Sequence, residues 1–145
     1  KKIDVTWRFE IRKSNSKALI IDDSYNANPD SFLYAFKKIK NLDLSKISFV
    51  EKGSKYQKKI CVMGQMGELG EKSEDLHKYI LKEASLIFDI VLAIDFKVNL
   101  NESNISFFKR EEIDSYLKEY LEEDALIFFK GSRSVKMENI IKNLT

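Results

Sequence analysis

The polar stretch at residues 22 to 31 holds the densest group of side chains in the sequence that could bind a ligand. It reads Asp-Asp-Ser-Tyr-Asn-Ala-Asn-Pro-Asp-Ser and directly follows the apolar run from Ala18 to Ile21. An aspartate at the end of a strand can accept hydrogen bonds from two ribose hydroxyls, and asparagine amides both donate and accept. A simpler interpretation is an Asx turn followed by a helix cap. Caps alone do not require two acids, a phenol and two amides, so ligand binding is the favoured hypothesis.

A second candidate loop runs from Gly64 to Ser73 and contains three glycines. A dinucleotide-binding loop needs Gly-x-Gly-x-x-Gly, whereas the spacing here is Gly-x-x-Gly-x-x-Gly. A phosphate-binding P-loop needs Gly-Lys-Ser at its end, and Glu71 separates Gly70 from Lys72. Both motifs therefore fail. The glycines are expected either to form a tight turn with positive φ or to let the backbone approach a substrate, and the sequence leaves both possibilities open.

A third candidate loop, Lys130-Gly131-Ser132-Arg133-Ser134, follows the apolar run from Ala125 to Phe129. We expect Gly131 to allow a sharp turn, and Ser132 or Ser134 to cap the following helix. Lys130 and Arg133 would then lie beside a helix N-terminus, where cations are normally unfavourable. That placement is understandable if an anion binds there through the Arg133 guanidinium. The alternative is that both are ordinary surface cations.

The elements that position these loops alternate along the chain. Four continuous apolar runs, typical of strands buried on both faces, are separated by stretches with helical spacing of apolar residues; the runs are 18–21, 60–63, 90–94 and 125–129. Asn28 and Pro29 are predicted to open the first helix, and Ser73 to cap the second. Two further short strands are predicted at 6–11 and 105–108. The sequence thus predicts an α/β fold: an open, mostly parallel, Rossmann-like sheet with helices on both faces.

The composition excludes several classes of protein. The 145 residues suit one domain, and 25 basic against 23 acidic residues give no global charge for binding nucleic acid. The one cysteine, Cys61, lies in an apolar run and is expected to be a buried core residue. With one histidine, His77, neither a zinc site nor a catalytic triad is expected, and His77 is predicted to be an exposed or satisfied helix residue rather than a proton relay. No membrane insertion is expected, and a cytoplasmic location is the default.

Several motifs together resemble the C-terminal domain of the Mur ligases. They occur in the order and spacing of that family, and comprise Trp7-Arg8-Phe9-Glu10, Asp23-Ser24-Tyr25-Asn26-Ala27-Asn28-Pro29, Met63 to Gly70 with His77, and Lys130 to Ser134 with Met137-Glu138. The similarity covers nearly the whole chain. It is greatest to the members that add D-alanyl-D-alanine to UDP-N-acetylmuramoyl-tripeptide in peptidoglycan synthesis.

The resemblance implies an ATP-dependent amide-bond ligase and assigns roles to single residues. By similarity, Asp23 holds the ATP ribose, Arg8 reaches the phosphates, and Tyr25, Asn26 and Asn28 line the same loop. The incoming amino component of such ligases lies against this domain. Candidates for contact with that substrate, or for domain closure, are Lys130, Ser132 and Arg133. No catalytic residue and no metal ligand is assigned to this chain.

The resemblance also implies that residues 1–145 are one domain of a larger enzyme. The family has an N-terminal domain for the UDP-sugar and a central domain with a P-loop that holds ATP and Mg²⁺, and neither is expected in this chain. The isolated domain is therefore expected to be inactive, because phosphoryl transfer needs a phosphate cradle and a metal. Alternatives are a Rossmann-like oxidoreductase domain, another Mur-type amino acid ligase, or a non-catalytic interaction module.

Overall fold

The computed structural model describes residues 9–50, 53 and 56–145. In this part of the chain, strands and helices alternate as the apolar runs predict. The strands are β1 (Glu10–Lys13), β2 (Leu19–Asp22), β3 (Lys58–Gly64), β4 (Ile90–Ile94), β5 (Ile105–Phe108) and β6 (Ala125–Lys130). The helices are α1 (Pro29–Lys40), α2 (Ser73–Ile87), α3 (Ile113–Leu121) and α4 (Met137–Leu144). Short 3₁₀ turns occupy Leu44–Lys46, Gly70–Lys72, Arg110–Glu112 and Arg133–Val135.

The six strands form one sheet in the order β1-β2-β6-β3-β4-β5. Five of them are parallel, and β1 pairs antiparallel with β2 through Glu10 opposite Asp22. The four inner strands β2, β6, β3 and β4 are mostly buried, as expected for strands covered on both faces. The prediction of an open, mostly parallel sheet is confirmed.

Each face of the sheet packs against two helices. One core joins α1 and α2 to the sheet residues Leu19, Ile21, Cys61, Met63 and Phe128, and the other joins α3 and α4 to Ile20, Ile60, Val62, Ile127 and Phe129. Neighbouring residues of one strand thus enter opposite cores, since side chains alternate across a sheet. Cys61 is fully buried, as predicted, and burial raises the pKa of its thiol.

Some predicted boundaries are wrong. The first strand spans Glu10–Lys13 rather than 6–11, and residues 6–8 lie outside the described part of the chain. Ser73 is not the cap of α2: the 3₁₀ turn at Gly70–Lys72 leads directly into the helix, so Ser73 is already helical and its hydroxyl lies 3.2 Å from His77 Nδ1. The predicted start of α1 is correct, with Asn28 as the N-cap and Pro29 as the first helical residue.

Candidate functional site

The three candidate loops leave the sheet at the same end, where the carboxyl termini of its parallel strands lie. Strands β2, β6 and β3 are adjacent and parallel, with Asp22 paired to Phe129 and Met63 paired to Lys130. The loops that follow them therefore emerge side by side at the carboxyl end of the sheet, where ligands bind in open α/β folds. The pairing of β2 with β6 continues into the loop after β2 through a hydrogen bond from the Asp23 amide to the Phe129 carbonyl, 3.0 Å long.

An ion pair between Asp23 and Lys130 joins the carboxyl ends of β2 and β6. Lys130 Nζ lies 3.0 Å from Asp23 Oδ2 and donates also to the Asn26 carbonyl at 2.9 Å. The other Asp23 oxygen, Oδ1, accepts a hydrogen bond from the Phe9 amide at 3.0 Å. Burial raises the pKa of Asp23, and the Lys130 ammonium opposes that rise. The two side chains are 12% and 4% exposed, so this pair is largely shielded from water.

A cavity of about 320 Å³ opens beside the Asp23–Lys130 pair. Asp23, Tyr25, Asn26 and Lys130 had been singled out from the sequence, and all four line this cavity. Sequence reasoning assigned no role in the site to the other lining residues, which are Phe9, Ser31, Tyr34, Ala35 and Lys38. Tyr34, Ala35 and Lys38 follow the spacing of one helix face. The exposure of Tyr34, an aromatic residue outside the buried set of α1, is visible only in the structure.

A cation lies against the aromatic wall of the cavity. Lys38 Nζ is 4.2 Å from the centre of the Phe9 ring and 5.6 Å from that of Tyr34. Contacts of this kind stabilise a lysine ammonium near an apolar surface. The cavity therefore combines an apolar wall, one carboxylate and two ammonium groups, a combination suited to a polar organic ligand with an anionic part.

Asn28 and Asn26 differ in what holds their side chains. Asn28 Oδ1 accepts a hydrogen bond from the Ser31 amide at 2.9 Å, and Ser31 Oγ accepts one from the Asn28 amide at 3.0 Å. This reciprocal capping box fixes the start of α1. Asn26 Oδ1 accepts from the Ala27 amide at 2.8 Å and its carbonyl accepts from Lys130. The simpler interpretation of Asn28, as a helix cap, is therefore confirmed.

The loop after β6 differs from its prediction. Lys130 and Arg133 do not lie beside the N-terminus of α4, because a 3₁₀ turn at Arg133–Val135 precedes that helix and Lys136, with φ of 56°, is its N-cap. Neither Ser132 nor Ser134 caps α4; their hydroxyls instead pair with each other at 2.8 Å. Lys130 is buried rather than a surface cation, because its ammonium is compensated by Asp23.

The exposed Arg133 lies next to Tyr25 of the loop after β2. Its guanidinium carbon is 5.6 Å from the centre of the Tyr25 ring. The same short turn is fixed to the glycine loop by a hydrogen bond from the Ser132 amide to the Gln65 carbonyl, 3.0 Å long. Arg133 and Ser132 therefore border the edge of the site, outside the residues that line the cavity itself.

The glycines of two loops meet where β3 and β6 end. A Cβ atom added at Gly131 would lie 2.8 Å from the Gly64 Cα, and one added at Gly64 would lie 2.6 Å from Val135 Cγ2. Among the glycines that the structure describes, only Gly53 and Gly70 have positive φ. The positive φ expected of the glycine loop is therefore found at Gly70, whereas close packing of protein against protein accounts for Gly64 and Gly131.

His77 serves to hold the glycine loop. Its Nε2 accepts a hydrogen bond from the Met66 amide at 2.8 Å, and its Nδ1 lies 2.7 Å from the Ser73 carbonyl. These contacts require the neutral ring with the proton on Nδ1. The ring also packs edge-on against Phe96 at 5.1 Å. The prediction of a satisfied helix histidine is confirmed.

Two further observations bear on cofactors and membranes. Within the described ranges 9–50, 53 and 56–145, no three histidine, cysteine or acidic side chains cluster as metal ligands. Among those same residues, no helix has the length and apolar character needed to span a bilayer. Arg8, predicted to reach phosphates, lies outside the described residues.

The mostly parallel sheet, covered by helices on both faces and with a cavity at the carboxyl ends of its strands, defines an α/β domain of the Rossmann-like type. Comparison with known families makes this more specific: residues 7–133 match the sequence model of the Mur ligase, glutamate ligase domain. The chain belongs to this family.

Curated relatives of the chain carry one name. This chain is 29% identical over 148 residues to the UDP-N-acetylmuramoyl-tripeptide–D-alanyl-D-alanine ligase of Bacillus subtilis, and the match covers 94% of this chain and 30% of the relative. It is 33% identical over 144 residues to the ligase of that name from Borreliella burgdorferi, covering 92% of the chain and 28% of the relative. The chain thus spans less than a third of the length of these relatives.

Solved structures agree with the sequence relatives. The MurF ligase of Thermotoga maritima, solved in complex with ADP, superposes with a TM-score of 0.69 at 26% identity, covering 98% of this chain and 30% of that one. MurF from Acinetobacter baumannii gives a TM-score of 0.74 at 25% identity, covering 94% and 30%.

Proposed function

We propose that this chain is the C-terminal domain of an ATP-dependent ligase that joins D-alanyl-D-alanine to UDP-N-acetylmuramoyl-tripeptide in peptidoglycan synthesis. The name shared by the relatives supports this substrate pair. The observation that carries the proposal is the cavity at the carboxyl edge of the sheet, with Asp23 in its wall. A related ligase of the same fold was solved with ADP, which supports a nucleotide as the ligand.

The nucleotide assignment starts from the chemistry of the loop after β2. Asp23 would accept hydrogen bonds from the ribose hydroxyls, with Tyr25 and Asn26 beside it in the cavity wall. Asn28 would act on this loop through the cap of α1, which fixes where the loop ends. Arg8, just before the described residues, would reach the phosphates. The triphosphate cradle and Mg²⁺ are assigned to a central domain beyond this chain, and an N-terminal domain would hold the UDP-sugar.

The reaction divides into two transfers. A carboxylate oxygen of the tripeptide attacks the γ-phosphorus of ATP, giving an acyl phosphate and ADP. The dipeptide amine then attacks the acyl carbon, a proton is lost from nitrogen, and inorganic phosphate leaves as the amide forms. Because this chain holds only part of the nucleotide site, we expect it to contribute by closing onto the domain that carries the phosphates.

The dipeptide is assigned to the turn after β6. Arg133 is exposed at the rim, and its planar guanidinium suits a carboxylate such as the C-terminus of D-alanyl-D-alanine. Ser132 lies next to it, where its hydroxyl could donate to the same substrate. Lys130, the last residue of β6, is buried. We therefore expect its contribution to binding the nucleotide or the dipeptide to differ from that of Arg133.

The proposed setting is the cytoplasm. The single cysteine of the sequence is a free, buried thiol, in keeping with a reducing compartment. Neither nucleic acid nor membrane is proposed as a partner. An oxidoreductase domain is not favoured, because the glycine spacing lacks the dinucleotide fingerprint.

The role of Asp23 is tested with Asp23→Asn in the complete ligase. Asparagine keeps the size of the side chain but cannot accept from two hydroxyls as a carboxylate does. We expect kcat/KM for ATP to fall by about tenfold or more, because hydrogen bonds to a charged group are worth about 1.5–3 kcal/mol. The preference for ATP over 2′,3′-dideoxy-ATP should fall in parallel. Steady-state kinetics with both nucleotides measures these effects.

Asp124→Asn is the matched control, since Asp124 is exposed at the amino end of β6, on the opposite edge of the sheet. Its kinetics should equal those of the wild type. If Asp23→Asn leaves both the ATP kinetics and the ribose preference unchanged, the nucleotide assignment of this loop is wrong.

A further inference from the structure

We propose that Lys130 is a positioning residue for the nucleotide: it holds the Asp23 carboxylate ionised and oriented towards the ribose, rather than contacting the dipeptide. This inference rests on the proposed function, and it changes the role of Lys130 within that function. It gives the end of β6 and the turn that follows two separate tasks, with Lys130 acting on the nucleotide side and Arg133 on the rim.

The contacts of the Lys130 ammonium support this role. Its Nζ is 3.0 Å from Asp23 Oδ2, 2.9 Å from the Asn26 carbonyl and 3.5 Å from the Asp23 carbonyl. An ammonium has three donors, and all three of these acceptors belong to the loop after β2. One side chain at the end of β6 therefore fixes both the carboxylate and the backbone of the neighbouring loop.

The remaining capacity of Asp23 matches a vicinal diol. An ionised carboxylate offers about four acceptor positions, two on each oxygen. Within the described residues, the hydrogen bonds to this carboxylate come from Lys130 on Oδ2 and from the Phe9 amide on Oδ1. This arrangement leaves one acceptor position on each oxygen, while the carboxylate lines the cavity. Two adjacent hydroxyls could each donate to one of them.

Electrostatics explains why the cation is needed. Burial alone raises the pKa of Asp23, and Lys130 is the largest influence in the opposite direction. Without the ammonium, the carboxylate would more readily take up a proton, and a protonated acid presents a donor where the ribose hydroxyls need acceptors. The ion pair therefore protects the state of Asp23 that the ligand requires.

The burial of Lys130 sets it apart from a direct substrate contact. Its side chain is 4% exposed, less than that of the Asp23 it supports at 12%. Its ammonium also lies 5.6 Å from the centre of the Phe32 ring, on the side of α1 that packs into the core. A substrate carboxylate would have to displace these contacts to reach it, whereas Arg133 is exposed already.

The test uses the complete ligase with Lys130→Met, which keeps most of the unbranched apolar side chain and removes the charge. We expect kcat/KM for ATP to fall by about tenfold or more, and the preference for ATP over 2′,3′-dideoxy-ATP to fall to the level of Asp23→Asn. The KM for D-alanyl-D-alanine should stay within about twofold of wild type. The double variant Asp23→Asn/Lys130→Met should lose little more than either single variant, because the two residues act as one unit.

Lys130→Gln is the second variant, and it covers the case in which Lys130→Met does not fold. Its amide can still donate to the Asn26 carbonyl, but no charge remains beside Asp23. We expect the acid limb of the pH profile of kcat/KM for ATP to move to higher pH. Lys142→Met, on the exposed face of α4, is the matched control and should leave every parameter at the wild-type value. Circular dichroism checks the folding of each variant.

The outcomes separate the two proposals. A raised KM for the dipeptide with an unchanged ribose preference in the folded Lys130 variants would overturn the positioning role, and so would wild-type kinetics. If Asp23→Asn itself leaves ribose preference unchanged, the nucleotide assignment fails, whatever the Lys130 variants do.

Discussion

At the scale of single residues, the two adjacent aspartates at the carboxyl end of β2 face different surroundings. Asp22 points to the Arg12 side and lies 3.3 Å from its guanidinium, while the amide and hydroxyl of Ser24 donate to its other oxygen. Asp23 turns to Lys130 and the cavity. Successive side chains alternate at the end of a strand, so Asp22 closes the loop and Asp23 faces the cavity.

The pKa of Asp22 leads to a pH prediction. Burial raises this pKa, although Ser24 and Arg12 oppose the rise. A carboxyl group whose pKa is raised by folding stabilises the native state relative to the unfolded state most fully at low pH, and that stability is lost as pH rises through the folded pKa. We therefore expect the free energy of unfolding of the wild type, minus that of Asp22→Asn, to fall as pH rises from about 3 to 7. Urea unfolding across this range measures it.

Asp43→Asn is a control for which the stability difference should change with pH in the opposite direction. Hydrogen bonds from the Ser45 hydroxyl and amide lower the pKa of Asp43, so the corresponding difference should rise with pH over the acidic range. A slope of one sign for both aspartates would contradict the assignment of these shifts to burial at Asp22 and to hydrogen bonding at Asp43.

The sequence indicated which residues form the candidate site better than it indicated which of them contact each other. The polar loop after β2 was recognisable because its acids and amides exceed the needs of a cap. The Asp23–Lys130 pair was not, since the two residues are separated by 107 positions and pair only after β2 and β6 become neighbours. A lysine next to a glycine turn has the same local pattern whether it is exposed or buried.

At the scale of elements, the close approach of β3 and β6 sets the spacing of the loops. Gly64 and Gly131 pack against each other, and Val135 of the following turn covers Gly64. Side chains at these two glycines would force the strand ends apart. The lateral distance between the glycine loop and the turn that carries Arg133 thus depends on two missing Cβ atoms.

Gly64→Ala tests this packing. The added Cβ would lie 2.6 Å from Val135 Cγ2, and overpacking of this kind costs about 1–3 kcal/mol of unfolding free energy. Gly67→Ala is the matched control, because nothing lies within 4 Å of its added Cβ, and it should change stability by less than about 0.5 kcal/mol. Denaturant unfolding gives both values. Combining Gly64→Ala with Val135→Ala should recover part of the loss; a purely additive double variant would argue against this contact.

Most helices and strands were predictable because their apolar spacing is determined locally. The start of α1 followed from Asn28 and Pro29, whose preferences act within a single turn. The starts of α2 and α4 were not predictable in this way. Each is preceded by a 3₁₀ turn, and serines inside or beside such a turn look like caps in the sequence. The antiparallel direction of β1 is likewise a product of pairing with β2, which no local pattern encodes.

At the scale of the whole molecule, the sheet presents only part of the nucleotide site that we propose. The described residues offer a carboxylate, an aromatic wall and two lysines, while the failed P-loop spacing provides no phosphate cradle. Under the proposed function, most of the binding energy for a triphosphate comes from another domain. Closure of the two domains would then assemble the complete site.

We expect the isolated 145-residue chain to bind ATP only weakly, with a Kd in the millimolar range or above, because a few contacts without a phosphate cradle provide about 4 kcal/mol or less. Isothermal titration calorimetry measures this directly, and the complete ligase serves as the comparison. Micromolar binding of ATP to the isolated chain would contradict a site divided between domains.

Cys61 makes the chain well suited to site-specific labelling. It is the single sulfhydryl of the sequence and has no exposed surface, and burial raises the pKa of its thiol. Since the thiolate is the form that reacts with maleimide dyes, the native protein offers almost no background reaction. A cysteine introduced in place of the exposed Ser134 would therefore carry the only fluorophore on this chain, next to the rim where a neighbouring domain would arrive.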